Sequence, residues 1–126
     1  MILVDTSVWI DHLRSADAGL VQLLTNGRVL GHPFVTGEVA CGALQNRSAI
    51  LSLMQDLPPA PVAADEEVLD FIARRNLGGR GIGYVDAHLL CAVVLSGSDQ
   101  LWSRDKSLAR IAEEFQLSFA PTGGQA

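Results

Sequence analysis

Apolar and polar positions along this chain of 126 residues fall into short β-prone runs that alternate with longer stretches of helical period. Ile2-Leu3-Val4 predicts a strand, and Asp5-Thr6-Ser7 supplies capping chemistry for a helix carrying Val8, Trp9, Ile10 and Leu13. A second helix is predicted from Ala16 to Thr25, closed by Asn26-Gly27, and Val29-Leu30-Gly31 predicts a second short strand. Pro33 opens a third helix over Phe34 to Leu44, and Ser48 is expected to cap another that ends before Pro58-Pro59. Ala60 to Ala63 reads as a third strand, kept at an edge by Pro61. Asp65-Glu66-Glu67 opens a helix and Arg74-Arg75 closes it, matching the macrodipole at both ends. After the loop Gly78 to Gly83 comes a strongly apolar helix from Tyr84 to Ser96, then a strand over Gln100 to Ser103. A turn at Arg104-Asp105-Lys106, a helix from Ser107 to Phe115 and a closing strand at Leu117-Ser118-Phe119 complete the pattern.

Strands alternating with helices predict an α/β architecture, a short-stranded parallel sheet flanked by helices. The size and the 48% apolar content suit one domain, set at residues 1–121, with a flexible tail over 122–126. Cys41 and Cys91 lie among small apolar residues without metal-binding spacing and read as buried core thiols in a reducing cytosol. No apolar run reaches the roughly 18 residues of a membrane span. The net charge of −5 argues against a nucleic-acid binder unless the acids are gathered around divalent cations, which reverse the local potential. Arg74, Arg75, Arg80, Arg104 and Lys106 are then candidates for a basic rim.

Four acids stand out. Asp5 and Asp105 each follow a predicted strand, and parallel α/β sheets bind ligands beyond the carboxyl ends of their strands. Asp86 sits early in an apolar helix, and Glu38 lies in a helix of small apolar residues with no cation at i+3 or i+4. Taken singly, Asp5 serves as a helix cap, Asp86 as a first-turn acid and Asp105 as a turn residue. Together, with Lys106 the only lysine, they call for a hard divalent ion such as Mg²⁺, held by carboxylates and water. His12, His32 and His88 lack a spaced partner, which argues against zinc.

The segments Ile2 to Ile10, Phe34 to Glu38, Gly83 to Leu90 and Leu101 to Lys106 resemble the PIN-domain family, and more closely the VapC toxins of bacterial toxin–antitoxin pairs. The resemblance spans nearly the whole chain. It implies a PIN-like fold and a pocket in which Asp5, Glu38, Asp86 and Asp105 cleave RNA with Mg²⁺ or Mn²⁺, the metal held by Asp5, Asp86 and Asp105. Thr6 or Ser7 would support Asp5, as would Ser103, which stands where such toxins usually carry threonine. The resemblance further implies hydrolysis of an RNA phosphodiester, with tRNA or rRNA as candidate substrates, a cytoplasmic location and a homodimer. It also implies a cognate VapB-like antitoxin, for which a face including Trp9 and Leu13 offers an apolar surface.

Competing readings follow from the same residues. An aspartyl phosphatase needs a second Asp where Ser7 stands, and a phospho-receiver needs an acid pair that Val4 and Thr6 replace. A catalytically silent PIN-like module and an RNA-processing nuclease without an antitoxin also keep the same fold.

Overall fold

The computed structural model describes residues 1–121. At its centre β1 (Ile2–Val4) pairs in parallel with β2 (Val29–Leu30) on one side and β3 (Gln100–Trp102) on the other. All three β1 side chains are buried, as expected of a central parallel strand covered on both faces, which is why this segment is continuously apolar. The register aligns Leu3 with Leu101 and Val4 with Trp102. The Asp5 N–H then bonds the Trp102 carbonyl at 2.9 Å, carrying the ladder one step past the strands. With strands about 4.8 Å apart, Asp5 and Ser103 must emerge side by side at the carboxyl edge.

Helices α1 (Thr6–Arg14), α2 (Ala18–Thr25), α3 (Pro33–Ala40), α4 (Arg47–Gln55), α5 (Asp65–Arg74), α6 (Tyr84–Ser96) and α7 (Lys106–Glu114) complete the described fold. The α/β class and the parallel sheet are as the sequence predicts. Helix α6 is buried continuously from Ala87 to Val93, so its lack of a polar stripe reflects its position through the core. Gly97 ends it in the left-handed conformation, φ 75°. Among the described residues no helix is long and apolar enough to cross a membrane.

Several boundaries depart from expectation. Helix α2 starts at Ala18 because the Asp17 carboxylate caps it, accepting from the Leu20 N–H at 3.0 Å. Helix α3 stops at Ala40 rather than Leu44: the Arg47 guanidinium donates to the Ala40 and Gly42 carbonyls at 2.6 and 2.8 Å and satisfies its end. Ser48 is therefore inside α4, whose N-cap is Asn46 at φ 56°.

Ala60 to Ala63 is not a strand. Gly31 bridges Pro59 and accepts from the Ala60 N–H, but Pro61 has no N–H to continue the ladder. Leu117 to Phe119 makes a single parallel bridge to Leu101, because the Leu117 N–H is already spent on the Ala112 carbonyl. Cys91 is buried as expected, but Cys41 is exposed at the end of α3; both thiols are free. The tail from Gly123 to Gln125 lies outside the described residues.

Candidate active site

The carboxyl edge of β1 and β3 presents Asp5 and Asp105, each at the N-cap of the helix that follows its strand. Asp5 is 5% exposed, yet its side chain makes no capping bond. Instead its Oδ2 accepts from two hydroxyls, Ser7 Oγ at 2.9 Å and Ser103 Oγ at 2.8 Å. Each hydroxyl is itself fixed by a backbone amide. The Arg104 N–H donates to Ser7 Oγ and the Asp105 N–H to Ser103 Oγ, both at 3.0 Å. Two amide–hydroxyl relays thus converge on one oxygen of one buried carboxylate.

The other three acids follow the same rule. Asp105 Oδ1 caps α7 by accepting from the Leu108 N–H at 3.0 Å. Asp86 Oδ2 accepts from the Gly83 N–H at 3.2 Å, and Glu38 Oε1 accepts from Thr6 Oγ1 at 2.6 Å. Each acid is anchored through one oxygen, and the second, Oδ1 of Asp5 and Asp86, Oδ2 of Asp105 and Oε2 of Glu38, has no protein hydrogen bond among the described residues. Thr6 therefore serves Glu38, whereas Ser7 and Ser103 serve Asp5.

The four charges feel one another. The Asp86 carboxyl is pushed above the usual carboxylate range, first by burial and then, against the Gly83 N–H that lowers it, by the charges of Asp5, Asp105 and Glu38. The structure thereby brings all four sequence-predicted acids into one electrostatic neighbourhood. Asp5 is buried and Asp86 half-buried, while Glu38 and Asp105 are exposed.

The cations are elsewhere. Arg74 pairs with Asp70, Arg80 with Glu114, and Arg104 with Asp11 and Asp17, while the Arg75 guanidinium lies over Phe71 and Phe115. Among the expected basic rim only Lys106, exposed beside Asp105, is left without a carboxylate or aromatic partner among the described residues. Asp11 and Asp17 were not marked by the sequence reading, because each looks like an ordinary helix-end acid.

The donor set suits a hard divalent cation: free carboxylate oxygens, mutual repulsion and no neutralising side chain. Among the described residues no three His, Cys, Asp or Glu groups are gathered into a ready-made cage. Mg²⁺ needs no such cage, since one or two carboxylates with water and substrate phosphate usually hold it.

Gly81 lies against the start of α7. It adopts φ +86°, and a Cβ there would come within 2.8 Å of Ser107 Oγ, so the glycine loop can pack against the start of α7. That contact brings the loop that leads into α6, and with it Asp86, towards Asp105.

A second polar cluster lies apart from the acids. His32 and His88 are 2% and 1% exposed. His32 Nδ1 caps α3 by accepting from the Phe34 N–H at 3.1 Å, which leaves its proton on Nε2 without a partner. Neither His88 nitrogen is hydrogen-bonded, although Nε2 lies 3.4 Å from Asp65 Oδ1, which Tyr84 Oη already occupies at 2.7 Å. Phe34 packs edge-on against both imidazoles. Trp9, expected on an exposed face, is buried, because it turns into the core from α1. Leu13 instead lines an open groove of about 720 Å³ with Ile10, Leu44 and Ile50.

The fold and the acid-lined sheet edge define a PIN domain, and the chain belongs to that family: the PIN domain model matches residues 2–114. Within it the chain is VapC-like, being 48% identical over 120 residues to Ribonuclease VapC32 of Mycobacterium tuberculosis (strain ATCC 25618 / H37Rv), covering 95% of this chain and 97% of the relative. The same identity and coverage hold for Ribonuclease VapC32 of M. tuberculosis strain CDC 1551 / Oshkosh.

Proposed function

We propose that this chain is the toxin of a VapBC-type pair, an endoribonuclease that hydrolyses RNA phosphodiester bonds with Mg²⁺ or Mn²⁺ at the four-acid pocket. The observation that carries this reading is that each acid spends one oxygen on a local hydrogen bond and leaves the other free, with no cation among them. Capping accounts for one oxygen of Asp105 and one of Asp86, but not for the buried Asp5, which does not cap, nor for Glu38 within α3. The name of the relatives, ribonuclease, supports the reaction class.

Asp5, Asp86 and Asp105 would hold the cation, which when bound supplies Lewis-acid stabilisation of phosphoryl charge and lowers the pKa of a nearby water. The chain's own contribution is positional. Ser7 and Ser103 fix the Asp5 carboxylate in one rotamer, so that it needs no reorganisation when charge develops on the phosphoryl and leaving oxygens. Glu38, exposed and oriented by Thr6, aligns the attacking water and passes its proton to solvent through Oε2. A phosphoaspartyl route is disfavoured, because Ser7 stands where the second acid would be needed and its hydroxyl is already spent on Asp5.

A VapB-like antitoxin is the proposed partner, and the groove of Ile10, Leu13, Leu44 and Ile50 offers apolar side chains for an amphipathic helix. The reading is tested by incubating purified, antitoxin-free chain with a pool of tRNA and rRNA in Mg²⁺, Mn²⁺ or EDTA, beside Asp5→Asn. Discrete products that require metal and vanish in the variant are expected. Products that survive Asp5→Asn, or no products in either metal, would overturn it.

A further inference from the structure

Arg104 stands between Ser103 and Asp105 and would be the natural choice for a phosphate contact beside the acids. Its guanidinium is directed elsewhere. Nη1 donates to Asp11 Oδ2 of α1 at 2.8 Å and Nη2 to Asp17 Oδ2 at the N-cap of α2, while its carbon centre lies 5.5 Å from the Trp102 ring. These partners hold the arginine firmly protonated, the Asp17 and Asp11 hydrogen bonds chief among the causes. A planar fork that meets carboxylates on two helices and stacks on an aromatic is a geometry that lysine cannot reproduce.

The backbone of the same residue feeds the site. The Arg104 N–H orients Ser7, the next N–H orients Ser103, and both hydroxyls bond Asp5 Oδ2. We infer that Arg104 is a positioning residue: its side chain pins the β3–α7 corner to α1 and α2, and the pinned amides hold Asp5 in its productive rotamer. Asp11 and Asp17 act through it, and Asp17 does so while its other oxygen caps α2. The inference rests on the nuclease reading only for its kinetic consequence; the pinning of the corner is a separate, measurable claim.

The test compares wild type with Arg104→Gln, Arg104→Lys and the double variant Asp11→Asn/Asp17→Asn, each checked for folding by circular dichroism and assayed well below its melting temperature. Loss of a group that orients a metal ligand typically costs ~10–100-fold in activity. Arg104→Gln is expected to lower kcat by that order with KM for RNA within about twofold, and the double variant to reproduce the loss although it keeps the arginine. Arg104→Lys should recover only part of the rate. A rise in KM at unchanged kcat, or full activity in the double variant beside a defective Arg104→Gln, would overturn the inference and make the arginine a direct substrate contact. Amide hydrogen exchange at positions 104 and 105, read by NMR on the same samples, is independent of cleavage. Faster exchange in Arg104→Gln supports the pinned corner even if the wild type cuts no RNA, an outcome that would sink the nuclease reading alone. Equal exchange in the two proteins overturns the inference whatever the activity.

Discussion

The acid pocket and the His32–His88 cluster both draw polar groups in among apolar helices, and they are held by opposite means. In the pocket each carboxylate has hydrogen-bond partners on one oxygen, but the charges are left unbalanced. Around the histidines burial first, and then the neighbouring His88, press the His32 pKa down to about 4, and three ring nitrogens lack protein hydrogen bonds among the described residues. The first arrangement sets like charges against one another. In the second, a neutral His32 keeps its Nδ1 lone pair for the Phe34 N–H, at the cost of buried ring nitrogens left without protein partners. The pocket is thus short of counter-charge, the histidine cluster short of hydrogen-bond partners.

The largest expected effect breaks the hydrogen-bonded half of the pocket. Replacing both hydroxyls, Ser7→Ala with Ser103→Ala, leaves Asp5 Oδ2 without a donor in a residue 5% exposed. Orienting groups of metal ligands typically contribute ~10–100-fold, so RNA cleavage at saturating metal should fall by at least that order. Ser103→Thr keeps a hydroxyl and should retain nearly the full rate. If the double variant cleaves as well as wild type, the relays are structural ornaments and the pocket's order has another source.

Much of this was legible in the sequence. Asp5 after an all-buried strand and Asp86 in an apolar helix are each marked by a polar residue interrupting a hydrophobic pattern, Asp105 by the turn that follows a predicted strand, and the parallel register does the rest. The fate of Glu38 was less legible, because an apolar helix suggested burial whereas Glu38 is exposed. Arg104, a candidate for the basic rim, is instead paired, and its partners Asp11 and Asp17 were not legible because they lie 93 and 87 residues away along the chain. The histidine pair was invisible for the same reason: His32 and His88 are brought together by α3 and α6, and neither carries a local spacing signal.

An intermediate effect should come from acid. In the unfolded chain His32 takes a proton near its ordinary value of 6.5, whereas the folded chain refuses it until about 4. The unfolded state therefore binds the extra proton over that interval, and stability falls as pH drops through it, by up to ~1.4 kcal/mol per pH unit. Protonation would also remove the Nδ1 lone pair that caps α3, where Glu38 resides. Chemical denaturation of metal-free protein between pH 6.5 and 5, above most carboxylate titration, should show this slope. His32→Asn, which keeps an N-cap acceptor without titrating, should flatten it. An unchanged slope in that variant would mean that the cluster is wetter than its burial implies.

The smallest effect tests the unbalanced half, and its sign is the informative part. Asp86 keeps its proton to a higher pH when folded than when unfolded, because burial and the charges of Asp5, Asp105 and Glu38 disfavour the carboxylate. Native protein thus binds the extra proton above the ordinary Asp value of 3.8, so stability declines as pH rises through the displaced pKa and stays lower at neutral pH. Asp86→Asn removes that repulsion at nearly constant shape, and should raise the melting temperature of metal-free protein at pH 7 slightly. Added Mg²⁺ should raise the wild-type melting temperature and shift the variant much less, because one of the proposed ligands has lost its charge. A variant that melts lower than wild type without metal would show that the negative charge in the first turn of α6, beside the Gly83 N–H, outweighs the repulsion, and would make Asp86 a first-turn helix acid first and a ligand second.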